Sequence, residues 1–376
     1  MIKPFPQPIY VTRPIFPSLK EYMEELKDVW KSQWLSNNGQ KLQKLESELK
    51  KELRVPYLSL FNNGTSALLV AIKCLDLAGE VITTPFTFPA TPNCLAWNNI
   101  KPVFCDIDPG TLNIDANKIE SLITDKTMGI LAVHVFGIPC DVEKIEKIAR
   151  KYKLKVIYDA AHAFGSEING RSIGLFGDIS MFSFHPTKLF HTGEGGALVF
   201  KEKALKEKAE LLKNFGIKNE TEVLIPGING KMNELQASMG LVVKKYIKEE
   251  RRKRRVVKEI YEKKLSGIHG IQIVANPIKE KNSLQYFVIR IDERKFGLSR
   301  DKIYNLFKKY HVFTRKYFYP LCSNYQYFKD LPSSNKRNLP VANKVVSEVL
   351  SMPFYGGLSK NDVYKICRIL KSFKKT

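Results

Sequence analysis

The sequence KVIYDAAH at residues 155–162 places a carboxylate, Asp159, at the carboxyl end of an apolar strand pattern. Open α/β sheets bind their ligands at the carboxyl ends of strands, so Asp159 is a candidate ligand-binding residue. His162 follows closely and can reach the same ligand. These residues alone leave an alternative open, in which Asp159 is the N-cap of a helix and His162 lies in its first turn.

Other apolar segments with a strand pattern lie before and after residues 155–159, and helical patterns separate several of these segments. Two clear helical patterns begin at Asp115 and Asp141, and aspartate is a favoured N-cap residue. This alternation predicts an α/β fold with a mostly parallel sheet covered by helices. The predicted strands are 57–61, 80–84, 101–106, 128–135, 155–159, 179–184 and 197–200, and the two helices are 115–123 and 141–152.

The pattern changes after residue 233. A long basic helical pattern at 234–265 leads into a strand pattern at 285–292. Helical patterns then follow at 299–310, 340–350 and 360–373. We therefore expect a smaller carboxyl-terminal α+β domain, and we divide the chain into a large domain, 1–245, and a small domain, 246–376. A chain of 376 residues also exceeds the size that one hydrophobic core usually supports.

The charge of the chain is strongly basic, since 61 Lys and Arg against 38 Asp and Glu give +23. The segment Lys244–Lys258, with RRKRR at 251–255, has two interpretations. It is either a nucleic-acid patch, as in a DNA-binding regulator, or the solvated face of a helix. Interruption by Glu249, Glu250 and Glu259 favours the solvated face, so we expect no nucleic-acid partner. Either interpretation is compatible with anionic substrates.

The spacing of the cysteines and the hydropathy of the chain indicate the cellular compartment in which the protein is expected. Six cysteines are scattered without a C-x-x-C pair, which is typical of reduced thiols and of neither a disulfide framework nor a zinc site. No segment approaches the roughly 20 apolar residues that span a bilayer, and no signal peptide is apparent. We therefore expect a cytoplasmic protein with no metal site and no membrane partner.

A candidate anion site lies in the sequence NNGTSAL at 62–68. A strand end, a glycine turn and the hydroxyls of Thr65 and Ser66 at a helix start bring several free N–H groups together. Such a helix N-terminus binds phosphate groups. A plain glycine turn with a hydroxyl cap is the alternative.

A candidate nucleophile, Lys188, closes the sequence SFHPTK at 183–188, which is followed by GEGG at 193–196. A desolvated lysine loses its proton easily and becomes a nucleophilic amine toward an aldehyde. In so basic a chain, a surface charge is the alternative, and only the surrounding pattern favours the nucleophile.

Together the motifs resemble, in order and spacing, the DegT/StrS family of nucleotide-sugar aminotransferases. The family is similar to aspartate aminotransferase, so the resemblance implies the type I fold of enzymes that use pyridoxal 5′-phosphate (PLP). It also implies a homodimer whose active sites lie at the subunit interface. The motifs that carry the resemblance are NGTSAL (63–68), TPFTFPAT (84–91), YDAAHAFG (158–165), SFHPTK (183–188), GEGG (193–196), KMNELQA (231–237), FTRKYFYPL (313–321) and SMPFYGGLS (351–359).

The resemblance also implies residue roles. Lys188 is the catalytic residue, as the Schiff-base lysine and proton shuttle. Asp159 binds the pyridine nitrogen of PLP, and His162 lies on the side of the ring hydroxyl. The other implied cofactor-binding residues are Gly64, Thr65 and Ser183 at the phosphate, Phe88 on the ring face, and Asn229 from the partner subunit. The implied substrate-binding residues are His185, Arg315, Tyr317 and Tyr319.

The implied reaction has two stages. L-Glutamate converts PLP to pyridoxamine 5′-phosphate, which then aminates a keto sugar. The sequences VTRP (11–14) and WLSNNG (34–39) are closest to the branch that converts dTDP-4-keto-6-deoxy-D-glucose to dTDP-4-amino-4,6-dideoxy-D-glucose, a deoxyamino sugar of lipopolysaccharide O-antigens. Amination of the 3-keto isomer is the alternative within the family. A DNA-binding regulator is a remote alternative, because it leaves Asp159, His162 and Lys188 without a joint explanation.

Overall fold

The computed structural model describes residues 2–274 and 281–374. Apart from the helix predicted at 234–265, the elements predicted from the sequence are present, with ends that differ by a few residues. The strands are β1 Ile9–Tyr10, β2 Tyr57–Phe61, β3 Glu80–Thr83, β4 Lys101–Phe104, β5 Thr127–Val133, β6 Lys155–Asp159, β7 Glu167–Ile168, β8 Arg171–Ser172, β9 Ile179–Ser183, β10 Gly196–Phe200, β11 Ile271–Ile273, β12 Phe287–Ile291, β13 Val312–Phe313 and β14 Val349–Met352. The helices are α1 Leu19–Ser32, α2 Gln40–Leu53, α3 Gly64–Cys74, α4 Ala90–Trp97, α5 Ala116–Ile119, α6 Val142–Tyr152, α7 Lys203–Leu212, α8 Glu234–Lys244, α9 Ile247–Leu265, α10 Glu293–Phe296, α11 Arg300–Lys309, α12 Pro340–Glu348 and α13 Lys360–Ser372.

A seven-stranded sheet forms the centre, in the order β2-β10-β9-β6-β5-β3-β4. Strand β10 is antiparallel to both of its neighbours, and the remaining neighbours are parallel. This confirms the predicted mostly parallel sheet. The carboxyl ends of β2, β6 and β9 meet at one edge, and β10 starts at that same edge because it runs in the opposite direction.

Both faces of the sheet are covered. In β6, Val156 and Tyr158 face a core shared with α2, α6 and α8, whereas Ile157 faces a core shared with α3, α4 and α7. A strand that is buried on both sides lacks polar alternation, which explains the continuous apolar runs in the sequence. Asp115 and Asp141 are N-caps as predicted, since their carboxylates accept N–H groups of Asn117 and Lys144.

The carboxyl-terminal region has its own core around the antiparallel sheet β11-β12-β14, on which α9, α11 and α13 pack. The amino terminus joins this region: Phe5 lies in its core, and β1 pairs with β13 in parallel. A second apolar cluster connects the two regions through contacts such as Phe86 against Phe318, with ring centroids 5.5 Å apart. The division of the chain at residue 245 stays a prediction.

The single long helix predicted at 234–265 is wrong, because two helices, α8 and α9, occupy this range. Helix α8 is apolar and packs against α1 and α2, whereas α9 packs against α13. The turn at Lys245 and Tyr246 changes the chain direction, so that each helix can bury its own apolar face.

The basic run on α9 is also not simply a solvated face. Arg252 and Arg255 are exposed, but Arg251 is half-buried and only 1% of Arg254 is exposed. The two inward-facing arginines hold backbone carbonyl groups of residues 282–284. Part of the basic run is therefore structural.

The N-terminus of α2 is capped by a residue remote in sequence. Gly39 provides no side-chain cap, and the buried carboxylate of Glu234 instead accepts the N–H groups of Lys41 at 2.8 Å and Leu42 at 3.0 Å. A carboxylate at this position also interacts favourably with the helix dipole. Helix α8 thereby fixes the start of α2.

The substitution Glu234→Ala tests this cap. We expect a loss of about 3 kcal/mol in the free energy of unfolding, because two charge-assisted hydrogen bonds disappear and two buried N–H groups lose their partner. The control Glu262→Ala removes a partly exposed carboxylate that pairs with Lys258 on α9 at 2.7 Å, and it should cost about 0.5 kcal/mol. Urea unfolding measures both losses, and equal losses would contradict the capping role.

Candidate active site

The loops at the carboxyl edge of the central sheet surround a cavity of about 490 Å³. The loops that follow β2, β6 and β9 form its floor, and the carboxyl-terminal region closes it with Tyr286, Tyr317 and Phe318. Most of the predicted site residues line this one cavity, although they come from distant parts of the sequence. They are Gly64, Thr65, Phe88, Asp159, His162, Ser183, His185, Lys188 and Tyr317.

The predicted anion site is the start of α3. Asn63 caps the helix by accepting the N–H of Ser66 at 2.8 Å, and the first N–H groups of a helix have no partner within it. A Cβ atom on Gly64 would lie 3.1 Å from Cβ of Ser183, so glycine allows the Ser183 hydroxyl to approach the helix start. A Cβ atom on Gly196 would lie 2.7 Å from the carbonyl oxygen of Asn63, so β10 also passes close to this turn. Free N–H groups at a helix start are suited to an anion such as phosphate.

Asp159 ends β6 and is buried. Its Oδ1 accepts the N–H of Ala161 at 3.0 Å, and its Oδ2 accepts the Thr91 hydroxyl at 2.8 Å. The Thr91 hydroxyl is also 2.9 Å from that of Thr87. In the described chain, turns and no helix follow Asp159 up to Gly165, so the N-cap alternative for Asp159 is wrong.

Burial is the largest influence on the pKa values of three titratable groups that line the cavity, Asp159, Lys188 and His162. It raises the pKa of the Asp159 carboxyl, while the hydrogen bonds from Ala161 and Thr91 act in the opposite direction. Burial lowers the pKa of Lys188 to about 8, although the charge of Asp159 raises it. Burial also lowers the pKa of His162 well below its ordinary value, and the Lys188 charge adds to this. The Lys188 amine is therefore readily deprotonated, and the His162 ring is neutral.

Aromatic rings surround His162. Its ring is parallel to that of Phe318, with centroids 5.7 Å apart, and the ring of Tyr286 stands edge-on at 5.1 Å. The Nδ1 atom of His162 is buried and has no hydrogen-bond partner among residues 2–274 and 281–374. An unpaired buried nitrogen at a cavity wall is typical of a group that binds a ligand.

Three predicted residues lie outside the cavity. Asn229 is exposed, and its backbone carbonyl accepts the side-chain amide of Asn62 at 3.4 Å. Arg315 is exposed and forms backbone hydrogen bonds with Ser351. Tyr319 is 56% exposed, and the Arg300 guanidinium lies 5.3 Å from the centre of its ring.

The sequence did not predict several residues that the structure places at the site. Thr91 reaches Asp159 across 68 residues, and no spacing rule indicates such a contact. Glu194 lies on the cavity wall, with Oε1 3.7 Å from Nε2 of His185. Tyr286 comes from a segment that reads as an ordinary strand, and Phe318 lies within the motif FTRKYFYPL beside the predicted residues Tyr317 and Tyr319. The motifs TPFTFPAT and GEGG contain Thr91 and Glu194, but a motif alone does not assign their roles.

Two absences hold for the part of the chain that the structure describes. No group of three or more His, Cys, Asp or Glu side chains there could hold a metal ion. None of the described helices has the length and apolar character needed to cross a membrane.

Solved structures of other proteins share this architecture. DesI, solved in the presence of its TDP-sugar product, superimposes with a TM-score of 0.94 at 32% identity and covers 98% of this chain and 94% of its own. PseC of Helicobacter pylori, an aminotransferase involved in the biosynthesis of pseudoaminic acid, gives a TM-score of 0.90 at 28% identity, with 98% and 99% covered. The fold and the lysine–carboxylate site thus define a sugar aminotransferase of the PLP fold type I class.

Sequence relatives define the family. The dTDP-4-amino-4,6-dideoxy-D-glucose transaminase of Escherichia coli is 45% identical over 363 residues, which cover 96% of this chain and 98% of the relative. The family model of DegT/DnrJ/EryC1/StrS aminotransferases matches residues 18–371. The chain belongs to this family, as the motifs indicated.

Labelling of Lys188 by acetic anhydride tests its lowered pKa. In protein without cofactor, we expect the labelling rate to rise with pH and to level off above about pH 8. Asp159→Asn removes the charge that raises this pKa, so the midpoint should move to lower pH. Asp76→Asn neutralises a carboxylate paired with Lys208 on the surface and should leave the midpoint unchanged. Peptide mass spectrometry gives the rates, and a midpoint near 10.5 would contradict the assignment.

Proposed function

We propose that the protein transfers an amino group from L-glutamate to the C4 keto carbon of dTDP-4-keto-6-deoxy-D-glucose, with PLP as its cofactor. The product is dTDP-4-amino-4,6-dideoxy-D-glucose. The substrate rests on one observation, the 45% identity to the E. coli transaminase of that name across nearly both chains. Such a product suits deoxyamino sugar synthesis, as for O-antigens, in the cytoplasm.

The cavity fits the proposed cofactor. The start of α3 and the Ser183 hydroxyl suit its phosphate, with Gly64 and Thr65 supplying N–H groups. The carboxylate of Asp159 suits its ring nitrogen. The unpaired Nδ1 of His162 suits a polar substituent on the ring.

Phe88 lines the same cavity and is 57% exposed, so its ring is free to cover one face of a bound cofactor ring. Asn229 is proposed to reach the cofactor from the partner subunit, since it lies outside the cavity of its own chain. This assignment needs a homodimer with shared active sites. Exposed apolar side chains at several positions, including Phe16, Trp30 and Trp34, are consistent with burial against a second copy.

Bound PLP supplies an electron sink for the charge that remains when a proton leaves the carbon next to nitrogen. Lys188 carries that proton, because an amine with a pKa of about 8 both accepts and returns a proton near neutral pH. The Thr91 hydroxyl and the Ala161 N–H donate to Asp159 and oppose the rise in its pKa that burial causes, and this carboxyl group is proposed to keep the ring nitrogen protonated. The rings of Phe88, Tyr286, Tyr317 and Phe318 line the same cavity as Lys188.

The sugar nucleotide is proposed to bind at the mouth of the cavity. His185 and Tyr317 line the cavity, and Arg315 and Tyr319 are exposed on the segment that carries Tyr317. The net charge of +23 favours an anionic diphosphate substrate. Nothing in the basic run requires DNA, since Arg251 and Arg254 bind backbone carbonyl groups.

Borohydride reduction tests the cofactor and Lys188 together. Protein purified with PLP should be yellow, and reduction should attach the cofactor permanently to the peptide that contains Lys188. L-Glutamate alone should bleach the visible band, because it delivers the amino group in the first stage. Lys188→Arg keeps the positive charge but offers no nucleophilic amine, so it should remain unlabelled. A label on another lysine would contradict the assignment of Lys188 as the residue that binds the cofactor.

Product analysis tests the substrate. We expect incubation with L-glutamate and dTDP-4-keto-6-deoxy-D-glucose to give a product whose NMR spectrum places nitrogen on C4. The 3-keto isomer of the same nucleotide sugar is the matched control and should react at least about 100-fold more slowly, a difference of roughly 3 kcal/mol in the transition state. Faster amination at C3 would instead support the alternative within the family.

A further inference from the structure

Gln285 lies next to the reactive lysine, although it is remote in sequence. Its side chain is 2% exposed and points at the loop that follows β9. Its Oε1 accepts the N–H of Leu189 at 2.7 Å, and its Nε2 donates to the carbonyl of Thr187 at 2.8 Å. Thr187 and Leu189 are the two neighbours of Lys188. One amide group thus holds the backbone on both sides of the lysine.

The Gln285 side chain supplies the hydrogen bonds that a neighbouring strand would supply to the backbone within a sheet. The loop at Lys188 has left the sheet, so its peptide groups need other hydrogen-bond partners when they are buried. The N–H of Lys188 donates to the carbonyl of His185 at 2.8 Å, and Gln285 satisfies the two peptide groups that flank it. The lysine side chain has four rotatable bonds, so fixing its Cα limits where its amine can go.

The segment that carries Gln285 is itself anchored on α9. Arg251 donates to the carbonyl groups of Asn282 at 2.6 Å and Ser283 at 3.3 Å. Arg254 donates to the carbonyl of Leu284 at 3.0 Å. Three consecutive carbonyl groups before Gln285 are therefore held by two arginines from the basic run.

An ion pair secures the inner arginine. The guanidinium of Arg254, which is 1% exposed, donates to Glu250 at 2.6 Å, and the same carboxylate accepts the N–H of Gly356 at 2.8 Å. A buried charge with these partners costs several kcal/mol to disrupt. The anchor of Gln285 is consequently rigid.

We propose that Gln285 is a positioning residue for Lys188, anchored by Arg251 and Arg254. It acts through the backbone of Thr187 and Leu189 and keeps the amine of Lys188 in line with Asp159 across the cavity. The inference rests on the proposed function, because it assumes that Lys188 carries the proton. A misplacement of about 1 Å at a reacting group costs on the order of 100-fold in rate.

Gln285→Met tests the proposal, because methionine has a similar shape but offers no amide. Amide hydrogen exchange of the wild-type chain without cofactor should show protection at Leu189. In Gln285→Met, we expect exchange there to rise by about tenfold, which corresponds to roughly 1.4 kcal/mol for the lost bond. Turnover should fall by about 10- to 100-fold, while KM for L-glutamate changes less than about threefold.

Tyr261→Phe is the control. It removes a buried hydrogen bond to the carbonyl of Pro353 at 3.0 Å and leaves the Lys188 loop untouched. Its exchange at Leu189 and its turnover should match wild type. Gln285→Glu is a second variant that keeps an acceptor for Leu189 but has no donor for Thr187, so protection at Leu189 should persist while turnover falls.

The outcomes separate the two proposals. Unchanged exchange at Leu189 in Gln285→Met, or turnover equal to that of Tyr261→Phe, would overturn the positioning role. Absence of cofactor on Lys188 in the borohydride experiment would instead overturn the proposed function, because that experiment uses the wild-type chain. A loss of turnover in Gln285→Met but not in Tyr261→Phe, together with faster exchange at Leu189, supports the positioning role of Gln285.

Discussion

Asp159 and Lys188 bring opposite charges into one desolvated cavity, and the rest of the site depends on how each charge is accommodated. Burial disfavours both charged forms, so it raises the pKa of the carboxyl and lowers that of the ammonium group. The carboxylate receives hydrogen bonds from Thr91 and Ala161, which stabilise its ionised form. Burial lowers the pKa of Lys188 to about 8 even though the charge of Asp159 acts in the opposite direction, so the amine loses its proton readily. A neutral amine beside a fixed carboxylate is what nucleophilic and proton-transfer chemistry at an aldehyde requires.

The relative position of Asp159 and Lys188 depends on the loops that follow β6 and β9. Contacts within the large region and contacts from the carboxyl-terminal region both hold these loops. Local support comes from the close approach of Gly64 to Ser183 and from the direction of β10, which places its first residue at the site. Remote support comes from Gln285, which fixes the backbone at Lys188 from the carboxyl-terminal region. The cavity is thus lined by two regions that each have a core of their own and that share a connecting apolar cluster.

The basic composition has more than one consequence. Arg251 and Arg254 donate hydrogen bonds to backbone carbonyl groups inside the protein, whereas Arg252 pairs with Glu249 on the surface. A run of arginines therefore does not by itself define a nucleic-acid surface. The remaining excess of positive charge is spread over the chain, where it favours the approach of anionic substrates in general.

The sequence by itself determined the strands and the mostly parallel sheet, and it predicted ligand binding at the edge where the cavity lies. Apolar runs, N-caps and glycine turns are local patterns, so short windows of sequence contain them. The motifs also brought Asp159, His162 and Lys188 together. Only the tertiary structure decided the hydrogen bond of Thr91 to Asp159, the clamp of Gln285 across 96 residues to Leu189, and the break between α8 and α9. These features depend on which loops and helices pack together in space, and that packing leaves no periodic trace along the chain.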